Sequence, residues 1–133
     1  VFADYIKNIV KEQRTEIPII GDGEQVRCFT WIGDVARGIA KFSFDERAAN
    51  QTFNLGNPEP ITMKKLASII YEQAGEKGLI SGNGIGLSFK TEKSFPDDVR
   101  IRIPDVSKAK EVLGWEPTLK VAGSVERCLD QMK

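Results

Sequence analysis

Apolar residues along this chain come in two alternating spacings, and neither is sustained for long. Phe2, Tyr5, Ile6, Ile9 and Val10 recur at i, i+3, i+4, i+7 and i+8, the stripe of one helix. Pro18 breaks that period, and Ile17–Ile20 predicts a short buried strand. Residues 21–25, Gly-Asp-Gly-Glu-Gln, carry hairpin-type turn chemistry, because Gly and Asp tolerate positive φ. Val26–Trp31 predicts the next strand. A helix over Ile32–Phe44 gathers Ile32, Val35, Ala36, Ile39 and Ala40 on one face. Phe53–Leu55 predicts a short strand ending in Gly56-Asn57-Pro58. Thr62 is a natural N-cap for a helix with core face Leu66, Ile69 and Ile70, and Gly75 sits where a C′ glycine would stop it. Residues 75–86 read as a flexible loop, and Leu87–Phe89 as a strand. Asp105 can cap a helix carrying Ala109, Val112 and Leu113, with Gly114 as its stop. Val125, Cys128, Leu129 and Met132 share a face of the last helix, whose start at Lys120 and Gly123 opposes the dipole and predicts fraying. Short strands alternating with helices predict an α/β fold, a small sheet with helices packed on it, in a single domain over 1–133.

Composition narrows the function classes. The chain has 133 residues, with Lys+Arg 19 against Asp+Glu 19. Zero net charge argues against nucleic acid or an anionic membrane surface as partner. There is no histidine. Ser–His and Cys–His nucleophiles and histidine metal sites are therefore excluded from these residues. Cys28 and Cys128 cannot form a disulfide framework and read as buried thiols of a reducing, cytoplasmic compartment. No apolar run approaches the ~18 residues of a membrane span, and no basic-then-apolar leader opens the chain. The first residue, Val1, already reads as helix, which points to a piece of a longer protein.

One arginine draws attention by position. Arg27 lies among apolar neighbours on a short strand, where a guanidinium needs an anionic partner or a route to water. That partner is either a phosphate or carboxylate ligand, or an internal acid: Asp22, Glu24 or Asp34. Asp34 reads as a first-turn acid favourable to the helix dipole. Asn54 and Gly56 read as shaping a strand end, Trp115 as packing after a helix stop, and Asp105 as a cap. Gly82-Asn83-Gly84-Ile85-Gly86 is not a dinucleotide loop. Its third glycine comes one residue early, and it neither follows a good strand nor opens a helix.

Residues 21–39, GDGEQVRCFTWIGDVARGI, resemble a segment of the extended short-chain dehydrogenases/reductases that commonly reads Tyr-Gly-Asp-Gly-x-Gln-x-Arg-x-Phe-x-Tyr-Val-x-Asp. The similarity continues through NLGNPEPITMKKLASII at 54–70 and resumes with RIPDVSKAKEVLGWEPTL at 102–119. Three motifs in order cover nearly the whole chain. The likeness is strongest to UDP-glucuronate decarboxylases and bacterial UDP-sugar epimerases.

The resemblance implies the carboxy-terminal, substrate-binding region of an NAD-dependent nucleotide-sugar epimerase, dehydratase or decarboxylase. Arg27 matches the family arginine on the nucleotide diphosphate, and Arg102 a second phosphate-side arginine, the alternative for Arg102 being a solvated charge beside Arg100. Phe2 falls where the family chain runs beside the base and sugar. No catalytic or metal residue is expected here. The NAD site and the Tyr-x-x-x-Lys pair would lie in a missing amino-terminal Rossmann domain; Tyr5 and Tyr71 have Ile9 and Gly75 at their +4 positions. The isolated chain is expected to be inactive and monomeric. Phe95-Pro96-Asp97-Asp98 replaces a family run resembling Arg-Pro-Gly-Asp, so an arginine used by some epimerases is absent. The alternative is a ligand-sensing or interaction module of the same ancestry, without catalysis.

Overall fold

The computed structural model describes residues 1–81 and 86–132. The glycine run at 82–86 therefore falls almost wholly outside the described residues. Helix α1, Phe2–Ile6, runs on into a π-helical turn at Lys7–Lys11. The stripe behaves as its spacing demands: Tyr5, Ile9 and Val10 are buried, and Phe2 and Ile6 are half-buried.

The expected α/β architecture is present; among the described residues its four short strands pair as two two-stranded sheets. β1 (Glu16–Ile20) pairs in parallel with β4 (Ser88–Glu92), Ile17 opposite Phe89. β2 (Val26–Arg27) pairs antiparallel with β3 (Ile61–Thr62), Arg27 opposite Ile61. The glycine turn between β1 and β2 is real, with Gly21 at φ 65° and Gly23 at φ 75°. It is not a hairpin, because the strands it joins enter different sheets. The predicted Val26–Trp31 strand keeps only its first two residues. Phe53–Leu55 is not a strand, since no described neighbour pairs with it.

Helix α3, Met63–Glu76, starts at Thr62, whose hydroxyl accepts the Lys65 N–H at 3.2 Å. Its stop is not Gly75, which is buried inside the helix. Gly78 takes the left-handed conformation at φ 67°, and the Leu79 N–H bonds the Ala74 carbonyl at 2.8 Å in a Schellman closure. Helix α4, Ser107–Leu113, stops at Gly114, φ 63°. The Asp105 carboxylate accepts the Ser107 N–H at 2.9 Å, as a cap would. Helix α5, Val121–Asp130, is not left frayed at its start: the Glu59 carboxylate accepts the Val121 N–H at 2.7 Å. That acid places negative charge at the helix N-terminus, where the dipole favours it.

Two apolar clusters result. The larger joins α1, β1, α3 and α5 around Ile9, Ile17, Leu66, Ile70 and Val125. The smaller packs Phe42, Ala109 and Leu113 around Trp115. Gly38 is needed there, because a Cβ would lie 2.7 Å from Trp115 Nε1 and 2.9 Å from Leu55 Cδ1. Helix α2, Ile32–Phe42, meets this cluster with an unexpected face. Its buried residues are Asp34, Gly38 and Phe42. Its apolar stripe faces solvent: Ile32 is 69% exposed and Ile39 58%.

Asp34 is 2% exposed and is no simple first-turn acid. Its carboxylate accepts from Thr118 Oγ1 at 2.7 Å, Thr118 N at 2.9 Å, Leu119 N at 3.3 Å and Arg37 Nη2 at 2.6 Å. Burial opposes the charge, but the hydrogen bonds from Thr118, Arg37 and Leu119 outweigh it and hold the carboxyl below its ordinary 3.8. Asp34→Ala is expected to destabilise the fold by on the order of 3 kcal/mol, because the Thr118 and Leu119 N–H groups lose their acceptor. Because the folded value is depressed, this contribution is complete above the unfolded value and is lost as pH falls through the folded one. Urea denaturation should show a constant gap between wild type and variant from about pH 5 upward, narrowing in stronger acid. Ile39→Glu, on the outward face, should change the stability of this chain by no more than about 0.5 kcal/mol.

Candidate nucleotide-binding cleft

A cleft of about 620 Å³ opens between α1, the end of β1, the β2 segment and residues 92–102. Local backbone geometry places its polar groups. The Val26 N–H bonds the Arg100 carbonyl at 2.8 Å, and the Arg102 N–H bonds the Val26 carbonyl at 3.2 Å. Val26 and Ile101 thus run in parallel, which sets Arg27 and Arg102 on the same cleft. Phe29 and Phe95 supply aromatic wall.

Arg27 does not pair with any of the three acids near it in sequence. Asp22 holds Arg100 at 2.9 Å, Glu24 holds Lys64 at 2.9 Å, and Asp34 holds Arg37. Its partner is Asp98, Nη2 to Oδ1 at 2.6 Å, with both side chains partly shielded. Arg27 Nη1 donates to the Val26 carbonyl at 2.8 Å and lies 3.4 Å from that of Arg100. Arg102 is exposed and has no ion-pair partner among the described residues. Phe2 is not on the cleft wall. Its ring leans on Phe29 at 5.7 Å between centroids, so it backs the wall from behind.

Three further residues line the cleft: Gln25 stands in the family-like 21–39 segment, and neither Tyr5 nor Cys28 carries a sequence signal for binding. Tyr5 is buried, and burial together with the Asp4 charge pushes its phenol up to about 12, so it stays protonated at neutral pH. Cys28 is half-buried, its thiol pushed up by burial and by Glu59. Gln25 donates from Nε2 to the Ile20 carbonyl at 2.7 Å, and its Oε1 is buried without a hydrogen-bond partner among the described residues. Asn54 and Trp115 lie away from the cleft. Asn54 Nδ2 donates to the Asp105 carbonyl at 3.0 Å, and Trp115 is 2% exposed in the smaller cluster. No group of three potential metal-ligating side chains gathers among the described residues. No described helix is long and apolar enough to cross a membrane.

A family model described as GDP-mannose 4,6 dehydratase matches residues 1–128. The chain belongs to this family. It is part of the extended short-chain dehydrogenases/reductases, NAD-dependent enzymes that epimerise, dehydrate or decarboxylate nucleotide sugars. UDP-glucuronic acid decarboxylase 4 of Arabidopsis thaliana is 32% identical over 114 residues, 84% of this chain and 23% of that protein. UDP-glucuronate 4-epimerase of Thermodesulfobacterium geofontis is 33% identical over 131 residues, 97% of this chain and 36% of that protein. The fold is similar to part of UDP-glucuronic acid 4-epimerase from Bacillus cereus, solved with UDP-glucuronic acid and NAD. The two align with a TM-score of 0.77 at 24% identity, over 99% of this chain and 40% of the epimerase. This extended short-chain dehydrogenase/reductase chain thus spans roughly a quarter to two-fifths of the relatives it matches.

Proposed function

We propose that this chain is the nucleotide-sugar-holding region of an NAD-dependent epimerase, dehydratase or decarboxylase. The observation that carries the reading is the convergence of Arg27 and Arg102 on one aromatic-walled cleft. A nucleoside diphosphate has two charged phosphates and a flat base, which such a cleft suits. Arg27 and Arg102 would take the diphosphate, and Phe29, backed by Phe2, would flank the base and sugar. Binding so far from the reacting carbon serves orientation of the sugar. A UDP- or dTDP-sugar is the ligand class that the relatives favour.

The described residues do not fit a dinucleotide. Gly21–Gly23 is a turn of positive φ, but it leads from β1 into β2 and opens no helix. NAD and the proton-transferring Tyr-x-x-x-Lys pair are assigned to another part of the parent enzyme. The outward apolar stripe of α2 and the unpaired segment 53–55 support that assignment. Both are surfaces that an adjoining domain would cover. In this reading the cytoplasmic parent does the chemistry, and this chain alone is monomeric and turns nothing over.

Calorimetric titration of UDP into the 133-residue chain tests the reading. Binding is expected, and Arg27→Ala should weaken it about 10- to 100-fold, the loss of one charged hydrogen bond. Arg102→Ala should weaken it by less, as its side chain is more exposed. Equal affinity in wild type and both variants would refute the assignment, as would conversion of UDP-glucuronic acid by the isolated chain with NAD. The sensing-module alternative is distinguished in the parent protein, which would then lack turnover while keeping Arg27-dependent UDP binding.

A further inference from the structure

Arg27 already has an anion on it. Three carboxylates, of Asp4, Glu92 and Asp98, share the cleft with the guanidinium groups of Arg27 and Arg102. Of these acids only Asp98 pairs with Arg27, through Nη2 at 2.6 Å. A phosphate arriving at the same Nη2 would stand beside the Asp98 carboxylate, and two like charges at contact distance in a half-shielded cleft repel strongly. One of the two anions has to give way.

Asp98 is built to be the one that moves. The orientation of the guanidinium does not depend on it, since Nη1 is held by the Val26 carbonyl at 2.8 Å and approached by that of Arg100 at 3.4 Å. The cleft floor is pinned next door, by the Val26–Arg100 and Val26–Arg102 backbone bonds and by the Arg100–Asp22 pair at 2.9 Å. Asp98 itself sits just outside that pinned stretch. It belongs to an exposed turn that contains Phe95, 65% exposed, and whose closing bond, Asp98 N–H to the Phe95 carbonyl, is long at 3.3 Å. Rotating or withdrawing this turn breaks one half-exposed ion pair and little else. Arg102, without an ion-pair partner among the described residues, provides the cationic group that an incoming anion can meet first.

We propose that Asp98 is an internal stand-in for the ligand's diphosphate, pairing with Arg27 through Nη2 until a nucleoside diphosphate enters the cleft and takes its place. The inference rests on the nucleotide-binding reading above and adds a specificity device to it. A ligand must bring enough negative charge to displace a carboxylate, so a diphosphate is admitted while a neutral nucleoside gains nothing at Arg27.

The test is calorimetric titration of UDP, and separately of uridine, into wild type, Asp98→Asn, Arg27→Ala and the double variant. Asp98→Asn should bind UDP about five-fold more tightly, the range of one partly exposed ion pair. Its affinity for uridine should be unchanged, and the gain for UDP should vanish when Arg27 is also alanine. If Asp98→Asn binds UDP equally or more weakly while Arg27→Ala still loses affinity, Asp98 positions Arg27 and the exchange is refuted. A gain that persists in the double variant would equally overturn it, since the effect would then not pass through Arg27. If Arg27→Ala binds UDP like wild type, or no protein binds UDP, the nucleotide-binding reading itself fails and the exchange with it.

Discussion

The buried carboxylate of Asp34 ties the two halves of the structure together. It reaches from α2 to the backbone of Thr118 and Leu119, just before α5, so the small Trp115 cluster and the large cluster are held in one arrangement. Two more polar groups continue the same seam. Asn57, 4% exposed, donates to the carbonyls of Phe29 and Leu119. Glu59 then accepts the first N–H of α5. A chain with two very short sheets has few ladder bonds to set its register. Hydrogen-bonded polar side chains, Asp34 and Asn57 buried among them, perform that task, because their partners are met in one packing.

The seam also positions the cleft. Thr30 Oγ1 accepts the Asn57 N–H at 2.9 Å, and Asn57 in turn approaches the Phe29 carbonyl, so the backbone following Arg27 is fixed from behind. In front, the parallel bridge between Val26 and Ile101 brings Arg102 alongside. The proposed site thus depends on a strand two residues long, held by side chains on one face and by residues 100–102 on its edge. The outward stripe of α2 belongs to the same design. The helix buries Asp34, Gly38 and Phe42 on one face while leaving Ile32 and Ile39 exposed on the face that the proposal gives to an adjoining domain.

Local features were legible from residue types. Thr62 caps α3, Gly114 ends α4, Trp115 packs, and the first helix buries the stripe its spacing marks, because each depends on neighbours within one or two turns. Contacts between distant residues were not. Asp98 lies 71 residues from Arg27 and Glu59 lies 62 from Val121, and no local pattern names either pair. Gly75 and Gly78 both suit a helix stop; the choice went to the one that lets Leu79 close on Ala74. Phe53–Leu55 has the apolar spacing of a strand but no described partner, and a strand exists only when another chain segment pairs with it. Arg27 and Arg102 were readable as candidates through family resemblance. Their meeting in one cleft became visible only in three dimensions.

The central claim is that a nucleoside diphosphate sits between the Arg27 strand and the 95–102 segment. Amide chemical-shift mapping of the 133-residue chain with UDP tests it most directly. The account predicts that the largest shifts fall on residues 25–29 and 95–102, with α4 and the start of α5 unmoved. Shifts centred instead on the groove formed by Asn57, Lys110 and Lys120 on another part of the surface, or no shifts at saturating UDP, would contradict it.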